Sequence, residues 1–294
     1  MRSNYFDVSE RKTSGRVFQS RIRVRFTGNH REIGGIMSLI VYERVGDSGC
    51  QPSPFSWRTR FALAHKELDV EYRPTRFCDV ETIQKLSGQR LVPILIDGET
   101  VVHDSWNIAT YLEDRFPDRP SLFGESASRA ITRLVNHWAD TTFHMPLRML
   151  IFPNFIQCLC PEDREYFVRS REREFGMTVE QVRSEGARWR KELEMACLPL
   201  ERLLGEQQFI GGHCPRYADY IVFSDFLQAH ICGHTDLVSS NSPVARWQSR
   251  MFDAFGGLPE AFLGKRRYPG NDSAHGQRTE SVEMVTTPAF GRRE

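Results

Sequence analysis

The order of hydrophobic periods constrains this chain more than any single motif. Strand-length apolar runs stop near residue 120, and everything from about Ser126 onward follows helical spacing. Leu39–Ile40–Val41–Tyr42 reads as a short buried strand, and Val70–Glu71–Tyr72 alternates as a second. Between them, Ser53–Pro54 reads as an N-cap and first helical residue. Serine accepts from free backbone N–H groups, and proline has no donor to leave unpaired there. Phe55, Thr59, Phe61, Ala62 and Leu63 give that helix apolar faces out to about Lys66. After an irregular polar stretch, Leu91–Ile96 is an apolar strand, Asp97–Gly98 a hairpin turn and Thr100–His103 the antiparallel return. Asp104–Ser105 caps a further helix with Ile108, Ala109, Leu112 and Phe116 on its buried face, and Pro117–Pro120 ends the unit.

Beyond the linker, Ile131, Leu134, Val135 and Trp138 keep helical spacing. Charged helical stretches occupy Glu162–Phe175 and Val179–Ala196, Leu200–Leu204 extend the pattern, and Pro199 is expected to kink or restart that helix. A helix around Tyr217–His230 follows. Runs of strand followed by runs of helix imply an α+β unit and a separate all-α unit, two domains over 37–119 and 126–263. Residues 1–36 are Arg-rich, and Arg21–Phe26 alternates like a strand rather than an amphipathic transit helix, so they read as a disordered extension. Residues 264–294 are polar and read as a disordered tail.

Composition narrows the function. Lys and Arg number 39 against 38 Asp and Glu, which leaves no electrostatic case for nucleic acid or an anionic membrane as partner. The longest apolar stretch, Met149–Ile156, is broken by Pro153 and Asn154 and falls far short of the ~20 residues that cross a bilayer. Seven cysteines without repeating spacing suit a reducing compartment, so a cytoplasmic protein is expected.

Three features then point to chemistry. The free N–H groups and positive end of the helix after Ser53 favour an anion, and the serine hydroxyl can donate to a bound sulfur without ionising. An ordinary N-cap has the same sequence. Val92–Pro93 opens a strand; with a cis bond it would turn Val92's backbone outward to pair with an extended peptide, whereas base rates favour trans. Asp104–Ser105 joins a carboxylate for an ammonium group to a helix start for a carboxylate, which suits an amino-acid-like end such as a γ-glutamyl group. Together they have the order and spacing for one tripeptide.

Three stretches carry a family resemblance: Ser48–Thr59, His103–Pro120 and Phe209–Tyr220. They resemble the glutathione S-transferases, and the first is similar to the loop and helix of bacterial β-etherases and the fungal etherase-like (FuA) enzymes. The resemblance covers about Ser38–Phe262. It implies a thioredoxin-like N-terminal domain with a helical C-terminal domain, and a cytoplasmic detoxification enzyme that works as a homodimer. It also implies glutathione as co-substrate, without a metal, held by Ser53, Val92, Asp104 and Ser105. Leu91 stands where a basic residue often precedes Val-Pro, so Gln89 and Arg90 are the candidates for the glycyl carboxylate. Arg216 stands where the helix at Tyr217 usually begins with Ser, Thr or Asn, although Asp219 can still accept from its backbone N–H.

The implied reaction is attack of glutathione thiolate on an apolar, aromatic electrophile, with β-aryl ether cleavage as one form. Phe55, Trp57, Trp138, Phe143, Met145, Phe152, His144 and Arg148 are candidates for the substrate pocket, although aromatics at helical spacing are more often core and His144 with Arg148 could be a solvated pair. Two other readings use the same residues. One is a ligandin-like carrier of aromatic compounds. The other is a thiol–disulfide oxidoreductase, in which Cys50–Gln51–Pro52–Ser53 serves as a monothiol motif. His230–Ile231–Cys232–Gly233–His234 fits no zinc pattern, and the charges from Glu162 to Glu194 read as a solvated helical face.

Overall fold

The computed structural model describes residues 32–33, 36–37 and 39–263, and the readings of residues 1–31 and 264–294 lie outside them. Strands β1 (Glu32–Ile33) and β2 (Ile36–Met37) pair antiparallel, so the stretch read as an extension ends in paired strands. The main sheet has four strands in the order β4-β3-β5-β6, formed by β3 (Leu39–Arg44), β4 (Val70–Thr75), β5 (Ile94–Asp97) and β6 (Thr100–His103). β3 runs parallel to β4 and antiparallel to β5, and β5 pairs antiparallel with β6. The period-two alternation divides β3 between two cores. Leu39 and Val41 face the main core, whereas Ile40 packs with Ile83, Ile94, Ile96 and Val101 on the other side.

Helices α1 (Pro54–His65) and α3 (Ser105–Arg115) cover the first face. Helix α2 (Val80–Ser87), a stretch read as irregular, covers the second. Its signals were short but present: Val80 and Ile83 at helical spacing, and Gly88 in the left-handed region at φ 75° as its C-terminal stop. The resulting α/β arrangement is thioredoxin-like.

The second unit is wholly helical. It contains α4 (Ser126–Trp138), a π-helical turn over Ala139–Phe143, α5 (His144–Phe155) and α6 (Pro161–Phe175). α7 (Val179–Ser184), α8 (Gly186–Glu206), α9 (Tyr217–Ile231) and α10 (Pro243–Leu263) complete it. Two helical expectations need correction. The single helix read over Val179–Ala196 breaks at Glu185, and Pro199 lies inside α8 rather than restarting it. α10 bends at Ala254–Gly257, where three consecutive residues take positive φ.

Helix α9 is buried along nearly its whole length and packs on α1, joining the two units. Asp219 locks its start. Its fully buried carboxylate accepts from the backbone N–H groups of Ile210 (2.7 Å), Gly211 (2.9 Å) and Arg216 (2.9 Å), and from Trp247 Nε1 (2.9 Å). Among the described residues, no helix is long and apolar enough to cross a membrane.

Candidate active site

Ser53 sits where β3 hands the chain to α1. Its backbone is extended (φ −88°, ψ 116°), and its carbonyl accepts the first helical bond from Trp57 N–H at 3.1 Å. Its Oγ accepts from Ser56 N–H at 3.3 Å, a long cap bond that leaves the hydroxyl hydrogen free to donate outward. Two contacts hold the loop before it: Trp57 Nε1 donates to Gln51 O at 2.8 Å, and Gln228 Nε2 of α9 donates to Pro52 O at 2.9 Å.

The Val92–Pro93 peptide is cis. Ile94 pairs with His103, so Pro93 and Asp104 continue from the same end of the β5–β6 hairpin. Asp104 takes φ 72°, unusual for a residue with a side chain, and its Oδ1 accepts from Trp106 N–H (3.0 Å) and Asn107 N–H (3.1 Å). Its carboxylate is exposed, whereas Ser105 is buried with its carbonyl accepting from Tyr217 Oη at 2.7 Å.

A cleft of about 890 Å³ opens in front of Ser53. Ser53, Phe55, Arg90 and Val92 line it from the first unit, with His144, Arg148 and Phe152 from α5. Asp104, Ser105 and Gln89 do not line that cavity. Gln89 instead folds onto the backbone of Leu91, donating from Nε2 to Leu91 O and accepting at Oε1 from Leu91 N–H, both at 2.5 Å.

Three aromatic expectations also move. Trp57 is fully buried against Phe61 and Phe262, and Phe143 packs between Trp138 and Phe226. These rings, Trp138 and Met145 belong to the core and its margin rather than to the cleft. Cys50 is buried in the loop, its N–H donating to Asp47 O at 3.0 Å, and it is not a lining residue.

Several lining residues carried no recognisable signal. Arg44 ends β3, nearly buried, with its guanidinium 5.8 Å from the Phe77 ring centre and donating to the Arg76 carbonyl; burial pulls its pKa down. Helix α6 is not simply a solvated face. Its Tyr166, Phe167 and Arg171 line the cleft, and Glu174 pairs with Arg148 at 2.7 Å and Arg171 at 2.8 Å. Beneath the cleft, Arg58 lies fully buried between Asp140 (2.9 Å) and Asp225 (3.4 Å). Burial would lower its pKa, but the two carboxylates outweigh this and raise it. Among the described residues, no group of three or more His, Cys, Asp or Glu could hold a metal ion.

The two units match known domains separately. Residues 48–120 fit the model of the glutathione S-transferase N-terminal domain, and residues 130–254 fit that of the C-terminal domain. The chain belongs to the glutathione S-transferase family. A zeta-class glutathione S-transferase of Euphorbia esula is 28% identical over 218 residues, spanning 71% of this chain and 84% of that protein. Glutathione S-transferase 1 of Dianthus caryophyllus is 33% identical over 109 residues, 36% of this chain and 49% of that protein. Among solved structures, the glutathione transferase GSTFuA3 of Phanerochaete chrysosporium superposes with a TM-score of 0.62 at 22% identity, covering 79% of this chain and 99% of that one. At that identity the likeness establishes the fold, and this transferase shares it.

Proposed function

We propose that this transferase binds glutathione extended along Val92, with its sulfur at Ser53 and its γ-glutamyl end at Asp104–Ser105. The carrying observation is the convergence of Ser53, Val92 and Arg90 on one cleft that has an aromatic ring on each side, Phe55 beside the serine and Phe152 across from it on α5. Asp104 and Ser105 stand next in line because the hairpin register brings Pro93 and Asp104 to the same end. Arg90 lines the cleft and Gln89 is occupied by Leu91, so Arg90 is the better group for the glycyl carboxylate.

The Ser53 hydroxyl and the helix N-terminus stabilise thiolate over thiol, and the cleft supplies proximity to the electrophile. The electrophile is apolar and aromatic, and a β-aryl ether fits, with phenolate as leaving group. A homodimer in the cytoplasm completes the reading; exposed Ile131 and Leu134 on α4 support a covered face.

The test is a titration of bound glutathione together with a substrate screen, comparing wild type with Ser53→Ala. Loss of the hydroxyl should raise the thiol pKa by about one unit and cut turnover about tenfold at neutral pH. An unchanged thiol pKa and unchanged turnover would remove Ser53 from this role. Tight binding of aromatics without turnover would return the carrier reading.

A further inference from the structure

Five elements, α1, α4, the π-helical turn, α5 and α9, are linked beside the cleft through one buried carboxylate. Asp225 of α9 is completely buried, and its oxygens are divided between two partners. Oδ1 lies 2.8 Å from His144 Nδ1, and Oδ2 lies 3.4 Å from Arg58 Nη2. Arg58 continues to Asp140 Oδ1 at 2.9 Å, and Asn136 Nδ2 donates to Asp140 Oδ2 at 2.7 Å. A carboxylate buried against a buried guanidinium is ionised and can only accept. His144 therefore carries a proton on Nδ1, and the lone pair of its Nε2 is left over.

That nitrogen has no protein partner among the described residues, and it is not among the atoms sealed from solvent. His144 lines the cleft with Ser53, and its ring lies 5.5 Å from that of Phe55, two residues after the serine. An imidazole fixed on its inner nitrogen by a carboxylate and open on its outer one is built for proton transfer. The charges facing it are Asp225, Arg58 behind that, Asp140 on the preceding turn and Arg148 on the next.

We infer that His144 is a general acid–base group of this cleft, with Asp225 as its positioning residue, and that its substrates break a carbon–oxygen bond. The inference rests on Ser53 holding the glutathione sulfur. The glutathione S–H proton passes to His144 Nε2 as the thiol ionises. The thiolate forms a C–S bond while the C–O bond breaks, and the electron pair goes to oxygen. The imidazolium then returns its proton to that oxygen. Glutathione and an ether give a thioether and a phenol, the histidine ends neutral, and no oxidant or reductant is consumed.

His144→Asn tests it, because the asparagine amide can still donate to Asp225 but does not exchange a proton near neutral pH. Wild type and variant are assayed with chlorodinitrobenzene, whose chloride leaves unprotonated, with an aryl-substituted epoxide and with a β-aryl ether ketone. The expected result is a loss of about a hundredfold on the oxygen electrophiles, at least about tenfold larger than the loss on chloride displacement. Added imidazole should restore part of the epoxide rate to His144→Ala. Equal losses on all three substrates, no loss on any, or a wild type inert toward both oxygen electrophiles would each overturn the inference. A wild type that opens the epoxide but not the ether sinks only the ether reading. Failure of the Ser53 reading shows separately, as a Ser53→Ala variant that keeps full chloride displacement.

Discussion

Gln228 Nε2 donates to the Pro52 carbonyl at 2.9 Å, a bond that ties the last turn of α9 to the residue directly before Ser53. Gln228 is buried, so its amide rather than bulk solvent satisfies that carbonyl in the intact protein. Gln228→Ala should leave that carbonyl unpaired and cost about 1–3 kcal/mol. The loop should also wander, lowering kcat about tenfold through misplacement of the serine hydroxyl. Urea denaturation and steady-state kinetics on the same preparation check both; a variant that loses stability but keeps its kcat would show that α9 does not position the site.

Cys50 offers a sharper comparison with the redox reading. Its side chain is buried, and Ser53 rather than Cys50 lines the cleft. Cys50→Ser should therefore keep glutathione transfer within about twofold, since the change in volume is small. It should also leave any removal of glutathione from mixed disulfides unaltered. Loss of that second activity alone would revive the oxidoreductase reading.

Much of this site could be read before the fold was known, because its parts are local. A cap serine before an N1 proline, a hairpin turn at Asp97–Gly98 and a capped helix at Asp104 each announce themselves within a few residues. The Asp219–Arg216 bond is equally local. What could not be read depends on distance along the chain. His144 meets Asp225 across 81 positions and Arg58 meets Asp225 across 167, and no periodicity encodes either contact. Aromatic residues fail for a different reason. Trp57 and Phe55 are two positions apart on one helix, yet Trp57 is in the core and Phe55 in the cleft, and burial alone separates them. The α7–α8 break at Glu185 has no proline to mark it, and Gly186 is already helical.

Asp219 should be the least replaceable residue of the helical unit. Each of its oxygens faces two N–H donors: Oδ1 those of Ile210 and Trp247, Oδ2 those of Gly211 and Arg216. In Asp219→Asn one oxygen becomes an amide nitrogen, so two buried donors meet a third whichever way the group turns. The expected cost is about 3 kcal/mol, read as a lowered unfolding midpoint with the fold retained. An unchanged midpoint would mean that these donors find other acceptors.

His65 makes the pH dependence of stability specific. Its Nε2–H donates to the Ser121 carbonyl at 2.9 Å, which leaves Nδ1 to accept from Tyr220 Oη at 2.6 Å, a much closer partner for that hydroxyl than the Pro215 carbonyl at 3.3 Å, so the neutral ring satisfies both neighbours. Burial pulls its pKa below the usual 6.5. Below about pH 6.5 the unfolded chain therefore binds more protons at this position than the folded one, and stability falls as pH falls. Above that pH the contribution is complete and flat. His230 and His234, also lowered by burial, act in the same direction. Asp219 acts in the opposite one, because burial raises its carboxyl to about 6 and the folded state gains as pH falls from there toward 3.8. His65→Gln, whose amide can still donate to Ser121, should flatten the decline in unfolding free energy as pH falls below about 6.5, while the ring of wild-type His65 titrates below 6.5 by NMR. A slope unchanged by the substitution would assign the acid lability to the other two histidines.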